Sequence, residues 1–132
     1  MSNSNSYQPL LRAARAARQR AYAPYSKFRV GTAVLAADGR IYTGCNIENA
    51  SYGLTICAER VALGNALTAG ARTFRAVAIV AAGPRVTPCG ACRQVLAEFG
   101  DCDVICVDAR RGGKTRVYRL RELLPEAFQL PP

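Results

Sequence analysis

The chain has 132 residues, half of them apolar and a fifth charged, with a formal net charge of +9 and no histidine. This length fits a single domain spanning residues 1–132, and the composition excludes a disordered or fibrous chain. No apolar run approaches the ~18 residues that a membrane span needs. The polar segment Met1–Gln8 lacks the apolar core of a secretion signal, so we expect a cytoplasmic protein without membrane partners.

Much of the positive charge falls in the first thirty residues, at Arg12, Arg15, Arg18, Arg20, Lys27 and Arg29. Such a balance admits nucleic acid or another acidic partner. A solvated basic face is the simpler interpretation. We therefore do not expect nucleic acid to be the partner.

The first half of the chain predicts a helix followed by a hairpin. Apolar residues recur at helical spacing from Gln8 to Tyr22, with arginines between them. Phe28–Ala36 is a predicted buried strand, and the Asp38-Gly39 turn returns the chain as a strand over Arg40–Cys45.

The second half alternates predicted helices and strands after a polar loop at Asn46–Thr55. The helices are Ile56–Thr68, Cys89–Phe99 and a short Arg121–Phe128, and the strands are Phe74–Ala82, Asp103–Val107 and Thr115–Leu120. The order predicts an α/β fold in which helices pack against one mixed sheet of five strands.

Six cysteines are present, and in a reducing compartment clustered cysteines bind metal or do chemistry more often than they form disulfides. Cys102 and Cys106 lie in or beside an apolar run and are predicted core residues, and Cys45 is interpreted as structural. Cys57, Cys89 and Cys92 remain. Cys89 and Cys92 alone could be a redox pair or half of a structural zinc site.

Both groups of these cysteines lie where the chain enters a predicted helix. The orphan N–H groups and the positive end of the helix dipole favour thiolates there. Three protein ligands with an open fourth position are the arrangement of catalytic Zn²⁺. Three thiolates leave the site formally at −1, which works against activation of water. We therefore predict that Arg60 or Arg93, which directly follow the motifs, hydrogen-bonds a ligand sulfur.

Glu59 lies two residues after Cys57. A carboxylate beside a metal-activated water can take the proton of that water and deliver it to a substrate. Glu59 is therefore the predicted catalytic residue. The alternative is that it only complements the helix dipole.

Together, Cys57-Ala58-Glu59 and Pro88-Cys89-Gly90-Ala91-Cys92 match the three-cysteine form of the zinc deaminase signature. The chain also resembles the small homotetrameric cytidine deaminases of pyrimidine salvage over nearly its whole length. The segments that carry this resemblance are Tyr25–Gly31, Gly44–Gly53, Cys57–Arg60, Pro88–Gln94 and Glu122–Pro125.

The resemblance implies a three-layer α/β/α sandwich around the five-stranded mixed sheet, a bound Zn²⁺ and a homotetramer. It also implies that Asn46 and Glu48 hydrogen-bond the ribose of a pyrimidine nucleoside. The other substrate-binding residues that it implies are Phe28 near the base, Tyr52, Ala58, and Phe128 reaching a neighbouring subunit's site.

The predicted reaction is the hydrolysis of cytidine or deoxycytidine to uridine or deoxyuridine and ammonia. The first alternative is a deaminase of another aminopyrimidine, in a polynucleotide or a nucleoside antibiotic. The second is a non-catalytic structural zinc module, which a fourth ligand such as Cys45 would favour.

Overall fold

The computed structural model describes residues 4–132, and Met1–Asn3 lie outside the described residues. A 3₁₀ turn at Ser4–Tyr7 leads into the first helix. The helices are α1 (Gln8–Arg18), α2 (Ala58–Thr68), α3 (Gly90–Ala97) and α4 (Leu120–Leu123). The strands are β1 (Gly31–Ala36), β2 (Ile41–Cys45), β3 (Phe74–Ala81), β4 (Asp103–Asp108) and β5 (Thr115–Arg119).

The five strands form one mixed sheet in the order β2-β1-β3-β4-β5, which confirms the predicted architecture. β1 pairs antiparallel with β2 and β3, β3 pairs parallel with β4, and β4 pairs antiparallel with β5. The parallel pair needs a crossover, and α3 supplies it. As a result, the start of α3 follows directly from the loop that leaves the central strand.

Helices cover both faces of the sheet, so the fold has the three layers that the sequence resemblance implied. On one face α1 buries Leu10, Leu11 and Ala14 against the small side chains of Ala33 and Ala78. On the other face the core contains residues of α2, α3 and α4, together with Cys102 and Cys106. The prediction that these two cysteines are core residues is confirmed. Alternate residues of β3 and β4 face the two cores, as the period of a strand requires.

Most of the predicted elements are longer than the observed ones, and α1, β1 and α4 are three examples. Helix α1 ends at Arg18 because Tyr22 pairs instead with the loop, donating its N–H to the Asn46 carbonyl. Strand β1 starts at Gly31, since the Asn46 side chain takes the hydrogen bonds of Phe28 and Val30. The last helix spans only Leu120–Leu123.

Within residues 4–132, no helix is both long and apolar enough to cross a membrane.

Candidate metal centre and active site

Two helix starts on the same face of the sheet bring three cysteines together. Cys57 is the N-cap residue of α2, Cys89 is the N-cap residue of α3, and Cys92 lies in the first turn of α3. The Sγ atom of Cys89 is 3.9 Å from that of Cys57 and 3.5 Å from that of Cys92. All three sulfurs lie within 4.8 Å of one another.

The geometry of these sulfurs fits a tetrahedral zinc ion. With Zn–S bonds of about 2.3 Å, ligand sulfurs stand about 3.8 Å apart, close to the separations found here. Among the residues that the structure describes, these three are the sole group of three or more potential ligands. Cys45 is not part of it, because its thiol is directed to the Arg20 carbonyl at 3.4 Å. The cysteines therefore supply three ligands and leave one tetrahedral position for another group.

Arg60 is the cation that faces the cluster. Its Nη2 donates to the Cys57 sulfur at 3.5 Å from one helical turn along α2. Hydrogen bonding from Cys92 and from Arg60 lowers the pKa of the Cys57 thiol to about 5, against the opposing effect of burial. The pKa of the Cys92 thiol is raised, because this thiol donates a hydrogen bond to the Cys57 sulfur and is buried. A guanidinium here offsets negative charge on the sulfurs, which is the contact expected of Arg60 or Arg93.

Arg93 is placed differently from Arg60 and makes no contact with a sulfur among its hydrogen bonds. Its Nε donates to the Pro88 carbonyl at 2.7 Å, and its Nη2 donates to the Thr87 hydroxyl at 3.2 Å. Its Nη1 donates to the Leu123 carbonyl at 2.7 Å. Arg93 therefore holds the turn that precedes Cys89 and ties it to α4.

Glu59 lies in the first turn of α2 and is 6% exposed. Burial, together with negative charge on Cys57, raises the pKa of its carboxyl to about 7. A carboxyl group with a pKa near neutrality can both accept and donate a proton, as an acid–base catalyst must.

A cavity of about 470 Å³ opens beside the cysteine cluster, a size suited to a small organic ligand. Cys57, Glu59 and Cys89 form part of its lining, whereas Cys92 is buried behind them. Ala58, Asn46 and the half-exposed Phe28 line it as well. The cavity thus brings together seven of the predicted site residues around one space, counting Cys92.

The side chains of Asn46 and Glu48 organise the approach to this cavity. Asn46 accepts from the Val30 N–H at 2.9 Å and donates to the Phe28 carbonyl at 2.8 Å, which leaves one amide hydrogen and one lone pair. Glu48 does not line the cavity. Its carboxylate accepts from the Tyr25 and Ser26 N–H groups and from the Ser26 hydroxyl. Hydrogen bonding from Ser26 lowers the pKa of this carboxyl.

Tyr52 and Phe128, two further predicted substrate residues, are likewise absent from the lining of the cavity. The Tyr52 side chain is 75% exposed and packs edge-on against Tyr25, with ring centroids 6.2 Å apart. Phe128 is 66% exposed, and its carbonyl accepts a hydrogen bond from Gln94. Neither side chain meets the cysteine cluster.

Sequence reasoning treated Gly83–Pro88 only as a loop, yet residues Gly83–Thr87 form one wall of the cavity. The loop follows the central strand β3 and leads into Cys89. Its position between a central strand and a predicted metal ligand was the signal for a role in the site.

The comparisons with known proteins agree with this arrangement. Residues 4–108 match the family described as "Cytidine and deoxycytidylate deaminase zinc-binding region". A cytidine deaminase of Sporosarcina psychrophila is 49% identical over 123 residues, covering 92% of this chain and 90% of its own. One of Halalkalibacterium halodurans is 50% identical over 122 residues, covering 92% of each chain.

A solved structure extends the likeness to three dimensions. The crystal structure of cytidine deaminase from Burkholderia pseudomallei is 47% identical, with a TM-score of 0.86 over 97% of this chain and 100% of that chain. The fold and the cysteine cluster define a zinc-binding deaminase domain. The chain belongs to the cytidine deaminase family.

Proposed function

We propose that this protein hydrolyses cytidine and deoxycytidine to uridine and deoxyuridine with release of ammonia. The observation that carries the proposal is the cavity in which Glu59 and two of the three clustered cysteines share one wall. Relatives that carry the name cytidine deaminase at about half identity support the choice of substrate.

Cys57, Cys89 and Cys92 would hold the Zn²⁺ ion, and Arg60 would offset the excess negative charge of three thiolates. When bound, the ion supplies Lewis-acid activation of a water molecule. The two helix N-termini at Cys57 and Cys89 add positive potential at the same point.

Glu59 is the proposed acid–base residue. Its carboxylate takes a proton from the attacking water and delivers it to N3 of the cytosine ring, so that C4 accepts the oxygen. It then takes the remaining proton from the new C4 hydroxyl group and passes it to the amino group, so that the C4–N bond breaks, ammonia leaves and the C4 oxygen becomes the carbonyl of the product. Its burial supports this role, since a carboxyl with a pKa near neutrality exchanges protons in both directions.

The remaining lining residues would position the nucleoside. Phe28 offers a ring for the base, Ala58 presents a buried backbone beside Glu59, and the unused amide hydrogen of Asn46 can donate to a ribose hydroxyl. Glu48 would accept a hydrogen bond from a ribose hydroxyl in place of one that it accepts here from the backbone of Tyr25 or Ser26.

We further propose that the protein is a cytoplasmic homotetramer of single-domain subunits spanning residues 1–132. The exposed apolar side chains of Tyr52 and Leu54, which share one 3₁₀ turn, and of Phe128 and Leu130 are available for burial in contacts between subunits. In such a tetramer Tyr52 and Phe128 would contact a neighbouring subunit's cavity. Sedimentation equilibrium of the parent protein tests this assembly, and a monomer at micromolar concentration would contradict it.

The decisive experiment follows cytidine by ultraviolet absorbance with the zinc-loaded parent protein and with Glu59→Gln. We expect steady loss of cytidine with the parent and a fall of about a hundredfold or more for the variant, with zinc content unchanged. Removal of zinc by a chelator should abolish turnover, and zinc should restore it. Equal turnover by Glu59→Gln, or turnover without zinc, would contradict the proposal. Preference for a cytosine-containing single strand over cytidine would favour the polynucleotide alternative.

A further inference from the structure

A second cavity of about 460 Å³ lies on the far side of the Gly83–Thr87 loop from the nucleoside cavity. That loop borders both spaces. The rest of its lining comes from the β4–β5 hairpin and consists of Cys106, Asp108, Arg110, Gly112, Gly113, Lys114, Arg116 and Tyr118. None of these hairpin residues belongs to the proposed active site.

The charge of this second cavity is strongly positive. Its one carboxylate, Asp108, is held by Arg110, whose Nη2 lies 2.8 Å from Oδ2. Asp108 also accepts a hydrogen bond from the Gly83 N–H at 3.0 Å, so it ties the loop to the hairpin. Its carboxylate therefore has few lone pairs left to accept further hydrogen bonds. The other cations, Arg85, Lys114 and Arg116, are exposed, and their side chains form no ion pair within the described residues.

An apolar base accompanies these cations. Cys106 is buried beneath the cavity, and Val86 and the Tyr118 ring are half-buried beside it. Unpaired cations around a concave surface raise the local concentration of anions, and charge-assisted hydrogen bonds to phosphate oxygens are the strong ones. An aromatic ring next to them offers a surface on which a base can stack.

We propose that this second cavity binds a small polyphosphate-bearing ligand of the nucleoside triphosphate class. The phosphates contact Arg85, Lys114 and Arg116, and the base lies against Tyr118. Three cations suit two or more phosphates better than a single one, because each phosphate adds negative charge within reach. The loop residues Gly83–Thr87 place this ligand next to the nucleoside cavity without entering it.

Isothermal titration calorimetry of the zinc-loaded full chain at low ionic strength tests the proposal, with tripolyphosphate, ATP and adenosine as probes. The first variant is Arg85→Gln/Lys114→Gln/Arg116→Gln. Its matched control is Arg12→Gln/Arg15→Gln/Arg20→Gln, which removes the same charge from exposed positions on or just after α1. Since α1 packs on the opposite face of the sheet, the control leaves the cavity intact.

We expect the cavity variant to bind tripolyphosphate and ATP about tenfold more weakly than the parent, and the control to bind them like the parent. ATP should bind more tightly than tripolyphosphate, and Tyr118→Leu should remove that difference. Equal weakening in both triple variants, or no binding by the parent, would overturn the proposal. Tripolyphosphate as tight as ATP would refute the nucleotide class.

These binding measurements need no turnover, so they stand apart from the proposed function. If ATP does not bind while cytidine is consumed, only the second cavity loses its assignment. If ATP binds while cytidine is untouched, only the proposed reaction fails.

Discussion

Gly44 of β2 lies directly against Ala62 of α2. A methyl group on Gly44 would stand 2.3 Å from the Ala62 backbone nitrogen and 2.7 Å from the Ala58 carbonyl oxygen. Helix α2 can approach the sheet this closely only because position 44 has no side chain. Since Cys57 caps the N-terminus of α2 and Glu59 lies in its first turn, this packing contact fixes the positions of the metal ligand and of the acid–base residue.

Gly44→Ala should therefore lower the free energy of unfolding by about 1–3 kcal/mol, because the added methyl meets backbone atoms that cannot move aside. Urea unfolding measures the change. We also expect weaker zinc binding, because the start of α2 must shift. The matched control is Gly64→Ala in α2, where an added methyl meets no atom within 4 Å. It should raise the free energy of unfolding by about 0.5–1 kcal/mol. Equal effects of the two substitutions would contradict the argument.

Arg93 should act on the metal site through the turn that it holds. Arg93→Gln removes the guanidinium that bonds the Pro88 and Leu123 carbonyls, and Cys89 follows that turn. We expect faster release of zinc to a chelator and a loss of stability of about 1–3 kcal/mol. Arg93→Lys should lie between parent and Gln, since an ammonium cannot span the same acceptors.

The control for this prediction is Arg40→Gln, an exposed arginine of the β1–β2 hairpin with a loose ion pair to Asp38 at 3.8 Å. Its free energy of unfolding should stay within about 0.5 kcal/mol of the parent. Zinc release from Arg93→Gln at the rate of the parent would show that the turn holds Cys89 without help from Arg93.

The sequence predicted the cysteine cluster because each half of it is local and the zinc deaminase signature joins the two halves, which are 32 residues apart. Cys89 and Cys92 lie at the cap and in the first turn of α3, so their spacing places both sulfurs at one helix start, whereas Cys57 at the cap of α2 reaches them through tertiary packing. The five-stranded mixed sheet was predicted from the alternation of short strands and helices, whereas the strand order β2-β1-β3-β4-β5 is known from the structure alone. These features depend on periodicity and caps, which a single sequence displays.

The contacts of the two arginines could not be predicted in the same way. Both follow a cysteine directly or closely, and nothing local distinguishes Arg60, which meets a sulfur, from Arg93, which meets Leu123 thirty residues later. That difference depends on where α4 packs against α3. The bond between Glu48 and Ser26, twenty-two residues apart, has the same origin in tertiary packing.

Arg60 should tune the metal centre by charge rather than by packing. Its Nε is buried without a hydrogen-bond partner in the described structure, a cost of about 1–3 kcal/mol. Such a cost is consistent with selection for the positive charge beside Cys57. Arg60→Gln should therefore bind zinc more weakly and turn over cytidine about tenfold or more slowly, since one charge-assisted hydrogen bond is lost.

Arg60→Lys keeps the positive charge but lacks the planar guanidinium group, so it separates the contribution of the charge from that of the guanidinium geometry. Zinc affinity near that of the parent in the lysine variant, together with a loss in the glutamine variant, is the result we expect. Competition with a zinc chelator and steady-state kinetics measure both quantities. Equal losses in both variants would show that the guanidinium geometry matters more than its charge.

Tyr7 should make stability depend on pH in the alkaline range. Its hydroxyl donates to Asp103 at 2.7 Å, and burial together with this bond raises the pKa of Tyr7 to about 12. An unfolded tyrosine has a pKa of about 10. A raised pKa in the folded state contributes stability that is complete below about pH 10 and is lost as the pH rises through about 12. The difference in unfolding free energy between the parent and Tyr7→Phe should therefore be constant below about pH 9 and shrink towards pH 12.

Urea unfolding of both proteins at several pH values measures this difference, and Tyr52→Phe is the control that deletes a hydroxyl from an exposed ring. Because Arg119 also binds Asp103, at 2.8 Å, the carboxylate keeps a partner in the variant, and the pH-dependent part reports on Tyr7 alone. A difference that stays constant up to pH 12 would show that folding does not raise the pKa of the Tyr7 hydroxyl.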